Sequence, residues 1–367
     1  MKERFSGLLA WAKRNERHIA TAVFIFGFVS DIATYVLIPV SVANLLFVLY
    51  LALSALCTVG SHYLESHKQP EDSKPHFVRR TLEVVLPLGA QYFLGGLLSG
   101  FLIFYTKSAV LFVSWPFLVF LLLVFIGNEL FRDYRAHLAF QTILFFFSLY
   151  VYSIFALPIL VHTLGPAVFL ESTAVSVGLF LLLLGILACA GLRRLRESLP
   201  LMLGGTSLIL ACVVGSYFTG LIPPIPLTLD DGSVYHSLTR TSDGYQVAGE
   251  APLRWWEFWQ PAVVHHVPGT PLYAFSAVFA PVKFSTGVVH EWQHYDAQRK
   301  HWETAATIAF PISGGRAGGY RGYSELSSLQ AGKWRVRVET PSGQVIGQIA
   351  FTIEDAAAEP GLIPLTK

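Results

Sequence analysis

Apolar positions along this chain follow two regimes. Up to residue 222 they run together in long blocks, and after residue 271 they alternate with polar ones. A helix needs roughly 20 consecutive apolar residues to cross the hydrocarbon core. Seven windows of that kind occur, at about 19–40, 42–63, 82–105, 108–130, 138–161, 172–190 and 201–222. Only Pro39 to Ser41 separates the first two, which predicts a tight helical hairpin.

The alternation after residue 271 has the period of two that marks half-buried strands. It is clearest in Lys333–Glu339, where Trp334, Val336 and Val338 share one face and Lys333, Arg335, Arg337 and Glu339 the other. Thr340-Pro-Ser-Gly343 reads as a turn and Val345–Ile353 as the returning strand of a hairpin. Tyr273–Val282, Val288–Tyr295 and Trp302–Ile312 read as further strands. The predicted fold is a seven-helix membrane bundle followed by an all-β, Ig-like sandwich. Its predicted segments are a basic arm (1–18), the bundle (19–222), an irregular linker rich in turn signals (223–260) and the β-domain (261–367).

Lysine and arginine give the bundle an orientation. The N-terminal arm and the second-to-third, fourth-to-fifth and sixth-to-seventh connections hold fourteen of them, whereas the other short loops hold only Lys107. This alternation predicts a cytoplasmic N-terminus and places everything after residue 222 outside the cytoplasm. A cleaved leader is not expected, because the first apolar run starts late and leads directly into another span. The arm itself reads equally as an amphipathic surface segment or as a plain basic flank.

Composition narrows the class further. Of 367 residues 53% are hydrophobic and 14% charged, with a mean hydropathy of +0.52, which excludes a disordered chain and argues against a soluble one. The net charge of +2 gives no sign of a nucleic-acid partner. Cys57, Cys189 and Cys212 all lie in apolar runs and read as packing residues.

Within the spans Asp31 stands out. A carboxylate there must face the bundle, pair, or stay protonated, and reads either as a relay site or as an interhelical hydrogen bond. Gln91 and Gln141 read as packing contacts, and Asn128, Glu129, His162 and Glu171 as span-end residues. Gly96-x-x-x-Gly100 and the stripe Ser207, Ala211, Gly215, Thr219 read as close-packing faces within one chain.

Beyond the bundle, Trp255, Trp256 and Trp259 suggest an interfacial aromatic belt, a stacking platform or a lid. His290-Glu-Trp-Gln-His294 has the letters of a zinc-peptidase motif. That chemistry needs a helix, however, and the local pattern is that of a strand, which would hold the two histidines about 13 Å apart. The glycine-rich stretch 314–322 carries Arg316, Tyr320 and Arg321, which, with Trp292, are the candidate contacts for an anionic or sugar ligand. The alternative is that these arginines pair with local carboxylates.

His290-x-Trp292, Gly314-Gly-Arg316, Gly319-Tyr-Arg321, Ser324, Gly332-Lys-Trp334-Arg-Val336 and Gly343-Gln-x-Ile346-Gly347 with Phe351 together resemble the domain-of-unknown-function 2914 family over about residues 255–354. The resemblance implies a small β-rich domain of a bacterial envelope protein and no established activity. Expectation therefore centres on a non-enzymatic protein of the bacterial inner membrane, without cofactor, that presents a periplasmic β-domain to an envelope glycan, a lipid or a protein. A transporter or lipid-handling bundle is the alternative, and a zinc hydrolase through His290, Glu291 and His294 is the third reading.

Overall fold

The computed structural model describes residues 16–67, 77–108, 111–130, 138–224, 227–242, 244–251, 261–279, 286–312, 320–358 and 360–367. Among the described residues six helices come first: α1 (Glu16–Leu37), α2 (Val40–Ser66), α3 (Phe77–Ser108), α4 (Leu111–Leu130), α5 (Leu138–Val161) and α6 (Pro166–Phe218). Among the described residues four are long and apolar enough to cross a membrane, namely α2, α3, α5 and α6. Multi-pass membrane character is thus supported, but with four candidate spans in place of the seven expected. The apolar part of α4 is the shorter stretch Val113–Asn128, and α1 starts at the border of the described residues. The sixth and seventh windows lie on one 53-residue helical run, α6, broken where Gly191 leaves helical geometry (φ 176°, ψ 82°).

The break in α6 is seated against α2. His62 is buried, and its Nε2 lies 3.1 Å from the carbonyl oxygens of both Leu187 and Gly191. Carbonyls released from the helical ladder at a break need such a partner in an apolar surrounding. A Cβ at Gly191 would collide with the Ser66 side chain, so only glycine allows this approach. Arg194 pairs with Glu65, and Arg79 donates to the carbonyls of Leu64 and His67 at 2.9 and 2.7 Å, capping the C-terminal end of α2. Two of the basic connections thereby meet at one end of this helix.

Small residues on α3 admit the aromatic side chains of α2. A Cβ at Gly96 would sit 2.7 Å from Tyr50, and one at Gly100 would overlap Phe47, so this glycine pair packs within the chain as expected. The stripe on α6 differs: Ser207, Ala211, Gly215 and Thr219 are exposed, so their spacing does not serve helix contact within the chain.

Eleven strands follow: β1 (Thr228–Tyr235), β2 (Ser237–Thr241), β3 (Gly244–Gly249), β4 (Ala262–His266), β5 (Leu272–Phe279), β6 (Thr286–Asp296), β7 (His301–Ile312), β8 (Tyr320–Leu326), β9 (Gly332–Glu339), β10 (Val345–Asp355) and β11 (Ile363–Thr366). They form sheets of order β1-β5-β8, β4-β10-β9-β6-β7 and β11-β3-β2. Strand structure begins at Thr228, inside the segment read as a linker. Asp230-Asp-Gly232 is not a turn but the site of a register shift in β1, between Leu229 and Asp231. A bulge absorbs the irregular residues without ending the strand.

The first two sheets share one core, built from Trp292, Trp334, Val336, Val338 and Phe351 of the five-stranded sheet and Leu272, Ala274, Val278 and Tyr320 of the three-stranded one. Trp334, Val336 and Val338 point inward as their alternation requires. β5 is buried on both faces. Ala274 and Val278 enter this core while Phe275 and Ala277 meet Tyr235 and Val247 in a second one, which is why Leu272–Val278 reads as a nearly continuous apolar run. Gly343 closes the β9–β10 turn at a positive φ of 81°, with Gly343 N–H donating to Thr340 and Thr340 N–H to Gln344.

Candidate functional site

Asp31 lines a cavity. It is half-buried, near the end of α1, and shares with residues of α2, α3 and α4 a space of about 470 Å³. Helical spacing explains the grouping: Leu88, Gln91, Tyr92, Gly95, Gly96 and Ser99 recur along one face of α3, Gly27 and Phe28 precede Asp31 by one turn, and Phe125 and Asn128 lie three apart on α4. Tyr50 closes the wall from α2. The buried Ser99 hydroxyl lies beside the carboxylate, within its hydrogen-bonding reach. Asn128, expected at a span end in contact with water or headgroups, is instead buried in this wall, and Gln91, expected to pack, faces the same space.

Two pairs of aromatic rings frame the carboxylate. Phe28 and Phe125 have centroids 5.2 Å apart, and Tyr50 and Tyr92 6.5 Å apart. Phe26, Leu88 and Tyr92 are exposed on the helix surfaces at the cavity's edge. Among the described residues no lysine, arginine or histidine lines it. Chemically this is one negative charge, a few amide and hydroxyl groups, and broad aromatic faces. Asp31 was legible in the sequence; Tyr50, Tyr92 and Ser99 were not singled out, although the Gln91–Ser99 periodicity carried the signal.

The zinc-motif letters have another use. His290–His294 lies on strand β6, not on a helix. His290 is fully buried, with Nε2 2.7 Å from Ser276 Oγ and Nδ1 2.8 Å from Ser324 Oγ, and Trp292 Nε1–H donates to the same Ser324 oxygen at 2.9 Å. Both ring nitrogens are therefore engaged between β5, β6 and β8. Glu291 points to the other face, where it accepts from Thr304 at 2.7 Å and pairs with Arg337 at 3.4 Å. Burial pushes the His290 imidazole down to about 4, so it is neutral near pH 7 and serves as a crosslink between sheets.

The ligand-contact candidates separate. Trp292 is fully buried and Tyr320 is 6% exposed, so both belong to the core. Arg316 lies outside the described residues, as do Trp255, Trp256 and Trp259. Arg321 is exposed and, among the described residues, forms no ion pair. Beside it Tyr323 packs against Tyr245 and Tyr273 at centroid distances of 5.9 and 6.3 Å, and the Tyr245 hydroxyl donates to the Arg321 carbonyl at 3.3 Å. By contrast, the arginines of β9 are occupied: Arg335 donates to Gln293 at 2.7 Å and stacks 4.2 Å over Trp302, and Arg337 pairs with Glu339 at 2.8 Å.

A third cluster joins Glu250 to two histidines. Glu250 accepts from the His265 backbone N–H at 2.6 Å, and its carboxylate lies 2.7 Å from His265 Nδ1 and 3.1 Å from His236 Nε2. Burial raises the Glu250 carboxyl, but hydrogen bonds from His265 and His236 outweigh it and hold the group below its ordinary value. The Glu250 hydrogen bond lifts His265 above 6.5. Its contribution to stability is therefore full below about pH 6.5 and lost as pH rises through the lifted value. This clasp ties the ends of β1 and β3 to β4.

Fold and sites together define a multi-pass membrane protein carrying a β-sheet domain. The family of proteins of unknown function DUF2914 matches residues 285–353, which run from the start of β6 to the end of β10. Among solved structures the chain is similar to an immunoglobulin-like protein from Pseudomonas aeruginosa (9% identity, 35% of this chain and 97% of that one, TM-score 0.21). It is also similar to a β-glucosidase from Listeria innocua (13% identity, 34% and 16%, TM-score 0.20). A third likeness is to an alkylpurine DNA glycosylase from Pseudomonas fluorescens bound to abasic-site DNA (10% identity, 84% and 99%, TM-score 0.22). The chain spans about a sixth of the β-glucosidase it matches. No curated protein matches. At these TM-scores the likenesses assign no role.

Two outcomes are expected from the buried histidine. An unfolded histidine takes up its proton near pH 6.5 and the folded one only near 4, so stability must fall as pH drops between these values, by about 3 kcal/mol in all. Hydrogen exchange over residues 286–353 in the full chain should show this loss, and His290→Gln should flatten it. An unchanged slope in the variant would reject the assignment. Secondly, metal analysis of the purified full chain is expected to find no zinc dependent on His290 or His294. One zinc per chain that disappears in His290→Ala would restore the hydrolase.

Proposed function

We propose that this protein is a seven-span membrane protein whose bundle binds the polar end of an amphiphilic molecule in the Asp31 cavity, while an Ig-like β-sandwich outside the cytoplasm provides a recognition surface. The observation that carries the reading is a largely apolar, aromatic-walled space in an apolar bundle, into which Asp31 and a few amide and hydroxyl groups converge, bordered by exposed apolar side chains. A carboxylate at membrane depth marks a functional site by default, and a concave site with few convergent polar groups is the usual form of a small-molecule pocket. The apolar border suits a tail and the polar wall a headgroup. Lipid handling thereby moves ahead of simple recognition, and the protein is read as a binder or carrier without cofactor and not as an enzyme.

Seven crossings require α6 to turn back at Gly191. A run of 53 residues would extend about 80 Å as one helix, against a hydrocarbon core of about 30 Å. Contact of Arg79 and Arg194 with the same end of α2 supports a common, cytoplasmic side for the second and last basic connections. The β-domain would then be periplasmic in the bacterial inner membrane.

Recognition by the β-domain remains a second reading, favoured by the unpaired Arg321 beside Tyr245, Tyr273 and Tyr323. An exposed tyrosine flanked by two half-buried ones, with an arginine, suits a glycan or an anionic headgroup. Tyr320 and Trp292 enter this reading as the core beneath it, and Arg316 lies outside the described residues.

Gly95→Leu tests the cavity. A Cβ there meets only Asn128 Nδ2, at an ordinary 3.6 Å, so leucine can fill the space without displacing a helix. A photoactivatable amphiphile should label residues 88–99 in the full chain, and labelling should fall about tenfold in the variant, the effect of about 1.4 kcal/mol. Equal labelling would sink the reading. For topology, a reporter active only in the periplasm should work when fused after Lys367, and activity of a cytoplasm-only reporter at that point would reject seven crossings.

A further inference from the structure

Resting on the amphiphile reading, we infer that the Asp31 cavity selects an ammonium headgroup. Among the described residues its one charged group is the Asp31 carboxylate, with no basic residue in the lining. An anionic headgroup brought beside it would add a second negative charge in a low-dielectric space, which is strongly unfavourable. A cation removes the cost of the lone carboxylate.

Cation chemistry can be narrowed by the remaining walls. A small metal ion demands several oxygen ligands at close range, whereas here one carboxylate is accompanied by the ring pairs Phe28–Phe125 and Tyr50–Tyr92. Aromatic faces attract a large, weakly hydrated cation such as an ammonium, each contact contributing more where water is excluded. A proton relay would need the carboxylate but not a space of about 470 Å³ framed by rings. Exposed Phe26 and Leu88 at the border fit a tail better than bulk water, so the ammonium belongs to an amphiphile and not to a free amine.

The test uses the full chain in dodecyl maltoside with four probes: dodecyltrimethylammonium, dodecyl sulfate, monododecyl glycerol and tetramethylammonium. Equilibrium dialysis should rank the dodecyl ammonium first. Its affinity should fall about tenfold or more in Asp31→Asn, stay within about threefold in Asp31→Glu, and fall about threefold in Tyr50→Leu, as cation–π contacts of this kind contribute. Tetramethylammonium should bind at least about tenfold more weakly, because it buries no tail; equal affinity would overturn the amphiphile in favour of a free amine. Size-exclusion profiles matching wild type establish that each variant is folded, and Asp31→Glu supplies the folded, charged comparison should the asparagine variant fail.

Ammonium selectivity is overturned if Asp31→Asn keeps the wild-type affinity, or if dodecyl sulfate binds as tightly as the ammonium. The cavity reading fails separately. If dodecyl sulfate and monododecyl glycerol bind as tightly as the ammonium and Gly95→Leu weakens all three alike, the cavity holds amphiphiles without choosing their charge. If Gly95→Leu changes none of them, the cavity is not the site at all.

Discussion

Placing an ionised carboxylate at the centre of a membrane helix costs about 2.5–3.5 kcal/mol by insertion and more by calculation. On the proposed seven-span reading α1 is such a helix, and Asp31 sets that constraint on the residues around it. A bundle serving only as an anchor would have no reason to keep it, since asparagine or serine could make the same interhelical contact without the charge. Instead the helices leave room about it. Glycines at 27, 95 and 96 thin the walls, and Ser99, Asn128 and Gln91 supply polar lining while reaching from two helices. The glycine-rich face of α3 therefore does two things: Gly96 and Gly100 receive Tyr50 and Phe47, and Gly95 keeps open the space next to them.

The β-domain answers a related problem in the opposite way. His290, Ser276, Ser324 and the Trp292 indole N–H are all buried, and each would be costly alone. Brought together at 2.7–2.9 Å they satisfy one another across the two sheets. A buried network of fixed geometry specifies which strands face each other, and β5, β6 and β8 are the strands it joins.

Strands with one buried face were legible because alternation records burial directly: Lys333–Glu339 in sequence and β9 in structure have the same inward set. The early strands β1 to β3 were missed since their turn-forming residues sit in a bulge and a hairpin, where local chemistry resembles that of a loop. Helix existence was legible from apolar length, but the α6 break was placed only by its basic residues, and the cavity only in part. An intramembrane carboxylate is conspicuous, whereas Tyr50 and Asn128 are ordinary residues until three helices bring them to the same place. Trp292 illustrates the converse. Its neighbours in sequence are charged and polar, yet alternation places it, with His290, on the inward face.

Motif letters and surroundings point in opposite directions in the two halves of this chain, and the surroundings decide. The histidine–glutamate motif matches a zinc signature in every required letter, but a strand separates the histidines by about 13 Å and the structure engages the first of them at both nitrogens. Asp31 matches no motif. Its significance comes from the medium alone, because a carboxylate that would be unremarkable on a soluble surface must here be offset by geometry. The same reasoning separates the arginines of the β-domain. Arg335 and Arg337 are paired or stacked and complete the sheet face, while Arg321 stands exposed beside Tyr323 and its neighbours Tyr245 and Tyr273 and forms no ion pair among the described residues.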